Sequence, residues 1–353
     1  MGELFSGPGG IALGAHAAAA ATGVDLRHAW ANDYDASAVE TYRANIPGAT
    51  AQSVIHGDVR DLDVESLPKI DGFAFGFPCN DYSMIGESKG LDGNFGPLYK
   101  YGVNVLDAHR PNWFVAENVS GLQTANAGLA FPRILEELRH AGPGYELTPH
   151  LYKFEEYGVP QRRHRIIIVG LSRENGARFA VPAPTHKDPT TWKSVRNALG
   201  GLVQSAPNNE RTRQSKVVEE RLAYINPGQN AFNAALPDHL KLNVKGATFS
   251  QIYRRLHPDL PSYTITGSGG GGTHGYHWEE VRALTNRERA RIQTFPDTFV
   301  FKGSKEQVRK QVGMAVPPDG AEVIFSALFR TLRGEDYDSV PMNLTQMGAP
   351  SRP

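Results

Sequence analysis

Short apolar runs alternate with helical patterns through the first half of the chain. Leu4-Phe5 reads as the end of a strand and Ser6-Gly7-Pro8-Gly9-Gly10 as a tight turn. Residues 11–21 then read as an Ala-rich helix, stopped by Thr22-Gly23. The apolar run 28–31 is a second strand ending in Asn32-Asp33, followed by a helix over 38–45 that stops at Pro47-Gly48. Residues 53–56, 73–77 and 113–116 are further strands, closing at Gly57-Asp58, before Pro78 and at Glu117-Asn118. An amphipathic helix covers 131–140, and 165–170 is a sixth strand. This spacing predicts an α/β fold: a Rossmann-like, doubly wound, mostly parallel sheet. Such sheets bind ligands at the carboxyl ends of their strands, where each polar group just named falls.

The pattern changes near residue 181. VPAPTHKDPTTW reads as a linker, and from 190 to 280 helical periodicity is poor, Gly and Pro are frequent, and GSGGGGTHG (267–275) is a loop. Trp192, Tyr224, Phe232, Phe249, Tyr253, Tyr263, Tyr276 and Trp278 supply aromatics for a small core, which favours a second, irregular domain over a disordered insertion. Residues 305–312 and 320–332 return to helix, and the last dozen read as a frayed tail.

Composition narrows the class. In 353 residues, 40% hydrophobic and 21% charged, a packed core is affordable. The lone cysteine, Cys79, excludes an internal disulfide and a Cys-rich zinc site. No apolar run of about 18 residues or signal peptide is visible, so the chain reads as cytoplasmic with no membrane partner. A net charge of zero argues against a protein that coats nucleic acid, but leaves room for a basic cleft.

Three stretches carry chemistry. LFSGPGG (4–10) brings backbone amides to a helix N-terminus, and Asp33 stands where an acid meets ribose hydroxyls. Asp58 is placed to accept an adenine amino hydrogen, and the absence of a phosphate-cradling loop favours a nucleoside ligand without a pyrophosphate. FVAENVSGL (114–122) places Glu117 after an apolar strand, where desolvation favours the neutral acid; a solvated loop acid is the alternative. In YGVPQRRHRIIIVG (157–170), Arg163 and Arg165 flank His164, so an extended chain turns both guanidiniums to one side, toward phosphate or a developing negative charge. Cys79, in GFPCNDYS (76–83), is either a small buried hydrophobe or a nucleophile.

The order Phe-Ser-Gly-x-Gly-Gly, Phe-Pro-Cys, Glu-Asn-Val, Gln-Arg-Arg-x-Arg, then RALTNRERARIQTFPD (282–297) and QVGMAVPP (311–318), resembles the cytosine-5 DNA methyltransferases of bacterial restriction-modification systems. Six blocks in order, from residue 4 to about 325, spare only 190–280 and the tail. The resemblance implies a catalytic domain over 1–185, a target-recognition domain over 186–300, a segment over 301–340 that returns to the catalytic domain, and a tail over 341–353. It implies S-adenosylmethionine as cofactor, S-adenosylhomocysteine as product, and double-stranded DNA as partner. A cognate restriction endonuclease and a monomeric state go with it.

By the same resemblance Cys79 is the nucleophile, Glu117 the acid at ring nitrogen 3, and Arg163 and Arg165 the active-site arginines. Cofactor contacts are expected from Phe5, Ser6, Gly7, Gly9, Gly10, Asp33, Asp58, Pro78, Met314 and Val316, and DNA contacts from Ser83, Arg254, Arg255, Thr264, Thr266, Arg287 and Arg291. Met314 stands where the family usually has Asn, which puts the cofactor's methionine end in question and leaves a modified cofactor as one alternative. Asn80 replaces the usual Gln after the cysteine. A tRNA methyltransferase of the same fold is the rival enzyme, but its usual Cys-Phe-Thr is absent. A silent DNA-binding regulator would not need Cys79, Glu117, Arg163 and Arg165 together. The chemistry is coherent: carbon 5 of cytosine is a weak nucleophile until a thiolate adds to carbon 6, and the base must leave the duplex to be reached.

Overall fold

A computed structural model describes residues 1–77, 98–242, 251–267 and 271–344. The chain divides into two compact units: residues 1–153, 164–184 and 320–353 form the first, and 154–163 with 185–319 form the second. The expected division at 185/186 therefore needs correcting twice. Residues 154–163 already belong to the second unit, and that unit runs to 319.

The first unit is built on seven strands among the described residues: β1 Gly2–Leu4, β2 Trp30–Asp33, β3 Val54–His56, β4 Gly72–Gly76, β5 Trp113–Val119, β6 Tyr145–Lys153 and β7 His164–Ser172. Their order is β3-β2-β1-β4-β5-β7-β6. The first five pair in parallel, and β7 runs antiparallel to both β5 and β6. Helices α1 Gly10–Thr22, α2 Ala36–Asn45, α3 Tyr99–His109 and α4 Ala130–His140 connect them. The chain order reverses between β1 and β4, the switch point where a doubly wound sheet opens a crevice. The pattern reading missed β6 and α3. β6 carries Pro149 and alternates imperfectly, and α3 begins just after a Gly- and Pro-containing stretch.

Aromatics on one strand lie over glycines of the next. A Cβ on Gly72 would come within 2.0 Å of the Trp113 ring, and one on Gly170 within 2.1 Å of Phe114. The missing side chains let Trp113 and Phe114 lie flat across the sheet. Trp113 then meets Phe325 and Phe329 of the C-terminal helix Pro318–Arg333 edge-on. By length and apolar content 305–333 could cross a membrane, but 72% of its most apolar window is buried in protein.

The second unit has little sheet. Among the described residues, its helices are α5 Val195–Leu199, α6 Lys216–Ala223, α7 Asn286–Ile292 and α8 Lys305–Met314, with one two-residue parallel pairing of Gln161–Arg162 to Ser262–Tyr263. Two small cores form, one around Leu222, Ile225 and Tyr276 and one around Val195, Leu256 and Ile292. The expected linker is structured, since Val181–Pro182 pairs with Ser339–Val340. Within the expected tail, Asn343 is bonded to both backbone groups of Leu151, while 345–353 lies outside the described residues.

Candidate active site

The turn after β1 is braced by β2. Asp33 Oδ2 accepts the Gly7 amide at 2.7 Å and Oδ1 that of Asp35 at 2.9 Å. Gly9 has φ 96°, and a Cβ there would strike Ile46 at 2.8 Å, so the turn requires glycine. Phe5, at φ 53°, gives the turn its entry. Gly10 starts α1, so the helix N-terminus faces the crevice end of β1. Ser6 Oγ is buried and has no hydrogen-bond partner among the described residues. A buried hydroxyl left over at a helix N-terminus fits a polar ligand, as a cofactor carrying a carboxylate and ribose would require.

Asp58 is corrected. Its carboxylate takes the Arg60 backbone amide and Nε, both at 2.9 Å, and Arg60 Nη2 at 2.5 Å, and these bonds hold its acidity at about 2. It caps a single helical turn, and both oxygens are already engaged. Tyr34, which the pattern reading did not single out, is an aromatic that is 69% exposed beside Asp33 at the end of β2. An aromatic directly after the strand-ending acid was the available signal.

The β5 strand continues through Glu117 to Val119 instead of ending at Ala116. Register places Glu117 beside Gly76, the last residue of β4, and across from Ile167 on β7. Arg165 Nε lies 2.9 Å from Glu117 Oε1, and both side chains are only 12% exposed. Expected desolvation of Glu117 is therefore opposed by a counter-charge that favours its ionised form. Burial lowers the acidity constant of Arg165 and Glu117 acts against that. Asn118 Nδ2 donates to Phe77 O at 2.9 Å, tying the Glu-Asn-Val strand to the chain two residues before Cys79. Cys79, Pro78 and Ser83 lie outside the described residues.

Arg163 and Arg165 have different partners. Arg163 is fully buried in the second unit, donating to Ile265 O at 3.1 Å and Gly313 O at 3.0 Å. Strand alternation failed here because Arg163 falls between Gln161–Arg162 and β7, outside either extended run.

Among the expected DNA contacts, Arg255 and Arg287, like Arg163, are bonded to backbone carbonyls. Arg255 donates to the carbonyls of His277, Leu222, Ile225 and Trp278, and Arg287 to those of Pro207, Pro296 and Phe299. Both are buried. Arg291 is bidentate to Asp297 and donates to Gly200 O at 2.8 Å. Arg254 is half-buried, its guanidinium 4.6 Å from the Tyr263 ring centre. Thr264 Oγ1 donates to Arg162 O and Thr266 is exposed. Met314, in the last turn of α8, is 64% exposed, and Val316 is buried.

The family model for C-5 cytosine-specific DNA methylase matches residues 1–330. The chain belongs to the C-5 cytosine-specific DNA methylases. It is 58% identical over 349 residues to the type II methyltransferase M.BbvI of Brevibacillus brevis, covering 96% of this chain and 93% of that one. It is 40% identical to M.NgoFVII of Neisseria gonorrhoeae, over 97% of this chain and 89% of the other. A solved structure of a DNA modification methyltransferase encoded within an Escherichia coli prophage shares the fold, with a TM-score of 0.72 at 23% identity, over 94% of this chain and 99% of that one. A fission-yeast Dnmt2 methyltransferase structure matches more loosely, at 0.55 and 18%, over 94% and 98%. As a cytosine-5 DNA methylase the chain is an enzyme that needs a methyl donor, and the DNA reading stands over the tRNA alternative.

Proposed function

We propose that this methylase transfers the methyl group of S-adenosylmethionine to carbon 5 of a cytosine flipped from a specific duplex, with Cys79 adding to carbon 6 and Glu117 serving nitrogen 3. The observation that carries it is the Glu117–Arg165 pair at the crevice end of β5, next to the end of β4 from which the chain runs to Cys79. The turn residues Phe5, Ser6, Gly7, Gly9 and Gly10, with Asp33 and the Tyr34 ring, would hold the cofactor. When bound, that cofactor supplies an electrophilic methyl group.

The residues then divide the work. Arg165 pairs with the Glu117 carboxyl group, which serves nitrogen 3 as the thiolate adds. Arg165 also fixes the rotamer from which Glu117 reaches the base. Asn118 anchors β5 to the approach toward Cys79. Arg163 becomes a positioning residue that locks Ile265 to Gly313. The second unit reads the target, with Arg254, Thr264, Thr266 and Ser83 as contacts. By analogy with the type II relatives, a cognate endonuclease is the expected biological partner, and a cytoplasmic monomer the working form.

Glu117→Gln should lower the single-turnover methylation rate by about 10²–10⁴-fold, with S-adenosylhomocysteine binding and melting temperature near wild type. Wild-type turnover in that variant would overturn the assignment.

A further inference from the structure

The second unit contains a concentration of positive charge that neither its scaffold nor the catalytic pair uses. Arg289 on α7 and Arg309 on α8 converge on the ring of His274. Arg289 Nη2 lies 3.5 Å from Nδ1 of that ring. Arg309 Nη1 lies 3.3 Å from Nδ1 and 3.4 Å from Nε2, so it sits against the ring, not in line with either nitrogen. These are poor hydrogen bonds by distance and aim.

Arg163, Arg255, Arg287 and Arg291 of this unit donate to carbonyls and Arg282 pairs with acids, but Arg289 and Arg309 do neither well. Arg289 is 4% exposed. Its Nε, and that of Arg309, are buried without a partner among the described residues. The neighbouring acid Glu288 is spent on Arg282, at 2.7 Å. Glu306 stands 3.8 Å from Arg309 and is 84% exposed, too far and too wet to neutralise it. Burial and the adjacent Arg309 pull the acidity constant of Arg289 down to about 10, and burial with both guanidiniums pulls His274 down to about 4. Two like charges held together at this cost in desolvation need a counter-ion. Tyr263, which stacks on Arg254, feels the charge of both Arg254 and Arg289, so the cluster adjoins an expected DNA contact.

We propose that Arg289, Arg309 and His274 form a built anion site that clamps one backbone phosphate of the DNA substrate. A phosphodiester accepts the forked donors of two arginines, which neutral carbonyls here do not supply. His274 acts as a spacer that keeps the two guanidiniums apart until the phosphate arrives. Such a contact fixes register and carries no base information. The inference rests on the reading that the second unit meets DNA.

The test uses the full-length enzyme and a duplex carrying the target found by sequencing methylated host DNA. In Arg309→Gln, affinity should fall roughly ten- to a hundredfold, and the slope of log affinity against log salt should shrink by about 0.9. Arg309→Lys should keep most of the slope. A walk of single neutral methylphosphonates should find one position that weakens wild-type binding but not the binding of Arg309→Gln. Arg309 is only partly buried, so this variant should keep the wild-type melting temperature even if Arg289→Gln does not fold. An unchanged salt slope in a folded Arg309→Gln, or no such methylphosphonate position, overturns the clamp. So does loss of S-adenosylhomocysteine affinity with an intact slope, which would assign the anion to the cofactor's carboxylate. If those variants still methylate duplex DNA at saturation, the proposed function stands without the clamp; a wild-type enzyme whose binding ignores salt would count against DNA recognition by this unit.

Discussion

The two units solve one problem in opposite ways. In the first, strands satisfy each other's carbonyls, and aromatics laid over glycines fill the gaps between layers, as Trp113 over Gly72 and Phe114 over Gly170 show. In the second there is almost no ladder, and buried arginines take its place. Arg255 serves four carbonyls, Arg287 three, and Arg163 two, each of Arg163's a hundred or more residues from it in sequence. Burial lowers the acidity constants of Arg255 and Arg287, yet guanidinium keeps its charge even so. A basic residue in an irregular unit is therefore evidence of scaffold until its donors have been accounted for. That lesson separates Arg255 and Arg287, whose donors are spent, from Arg289 and Arg309, whose donors are not.

The largest expected effect follows from this. Arg255→Leu leaves four carbonyls to be satisfied anew and should destabilise the second unit by about 3–5 kcal/mol, since each buried orphan costs about 1–3 kcal/mol. Arg255→Lys should recover little, because one ammonium cannot reproduce the fork. Denaturant melts followed by the second unit's own tryptophans, Trp192 and Trp278, would check both. A variant as stable as wild type would break the contrast between the units.

The corresponding change in the sheet is smaller. Gly170→Ala forces the Phe114 ring from its place and should cost about 1–3 kcal/mol, read as a lower denaturation midpoint. Pairing it with Phe114→Leu, which frees the space, should recover part of the loss. Equal additive losses would show that ring-over-glycine packing is not the reason for that glycine.

The remaining effect is a pH slope. Glu3, on β1 and wholly buried, accepts the Tyr42 hydroxyl at 3.0 Å, and burial raises its acidity constant from 4.5 to about 8. Between those values the folded chain holds a proton that the unfolded chain has released. Stability conferred by the protonated form is thus present in acid and is lost as pH rises from near 4.5 through about 8. Glu3→Gln should flatten that decline in melting temperature across the window. An identical pH profile in the variant would show that Glu3 ionises freely in the fold.

What the chain disclosed follows the same division. The parallel strands and their polar ends were legible because each strand is a continuous apolar run stopped by Gly, Pro or an acid. The place of Glu117 on β5 was legible from the apolar run before it, but its partnership with Arg165 was not, because β5 and β7 meet only in the folded sheet. The carbonyl bonds of Arg255 and Arg287 were not legible, since one sequence cannot tell a guanidinium aimed at carbonyls from one aimed at phosphate. The pairing of Asp58 with Arg60, two residues on, was likewise not legible in the sequence.

The central claim is that Cys79 attacks a flipped cytosine with Glu117 and Arg165 alongside. The most direct measurement incubates the enzyme and S-adenosylmethionine with a duplex carrying 5-fluorocytosine at the target, then maps the DNA-bound peptide by mass spectrometry. Fluorine at carbon 5 blocks the final elimination, so wild type should accumulate a covalent complex through Cys79, slowed in Glu117→Gln and absent in Cys79→Ser. A covalent complex through any other residue, or methylation by Cys79→Ser, would contradict the account.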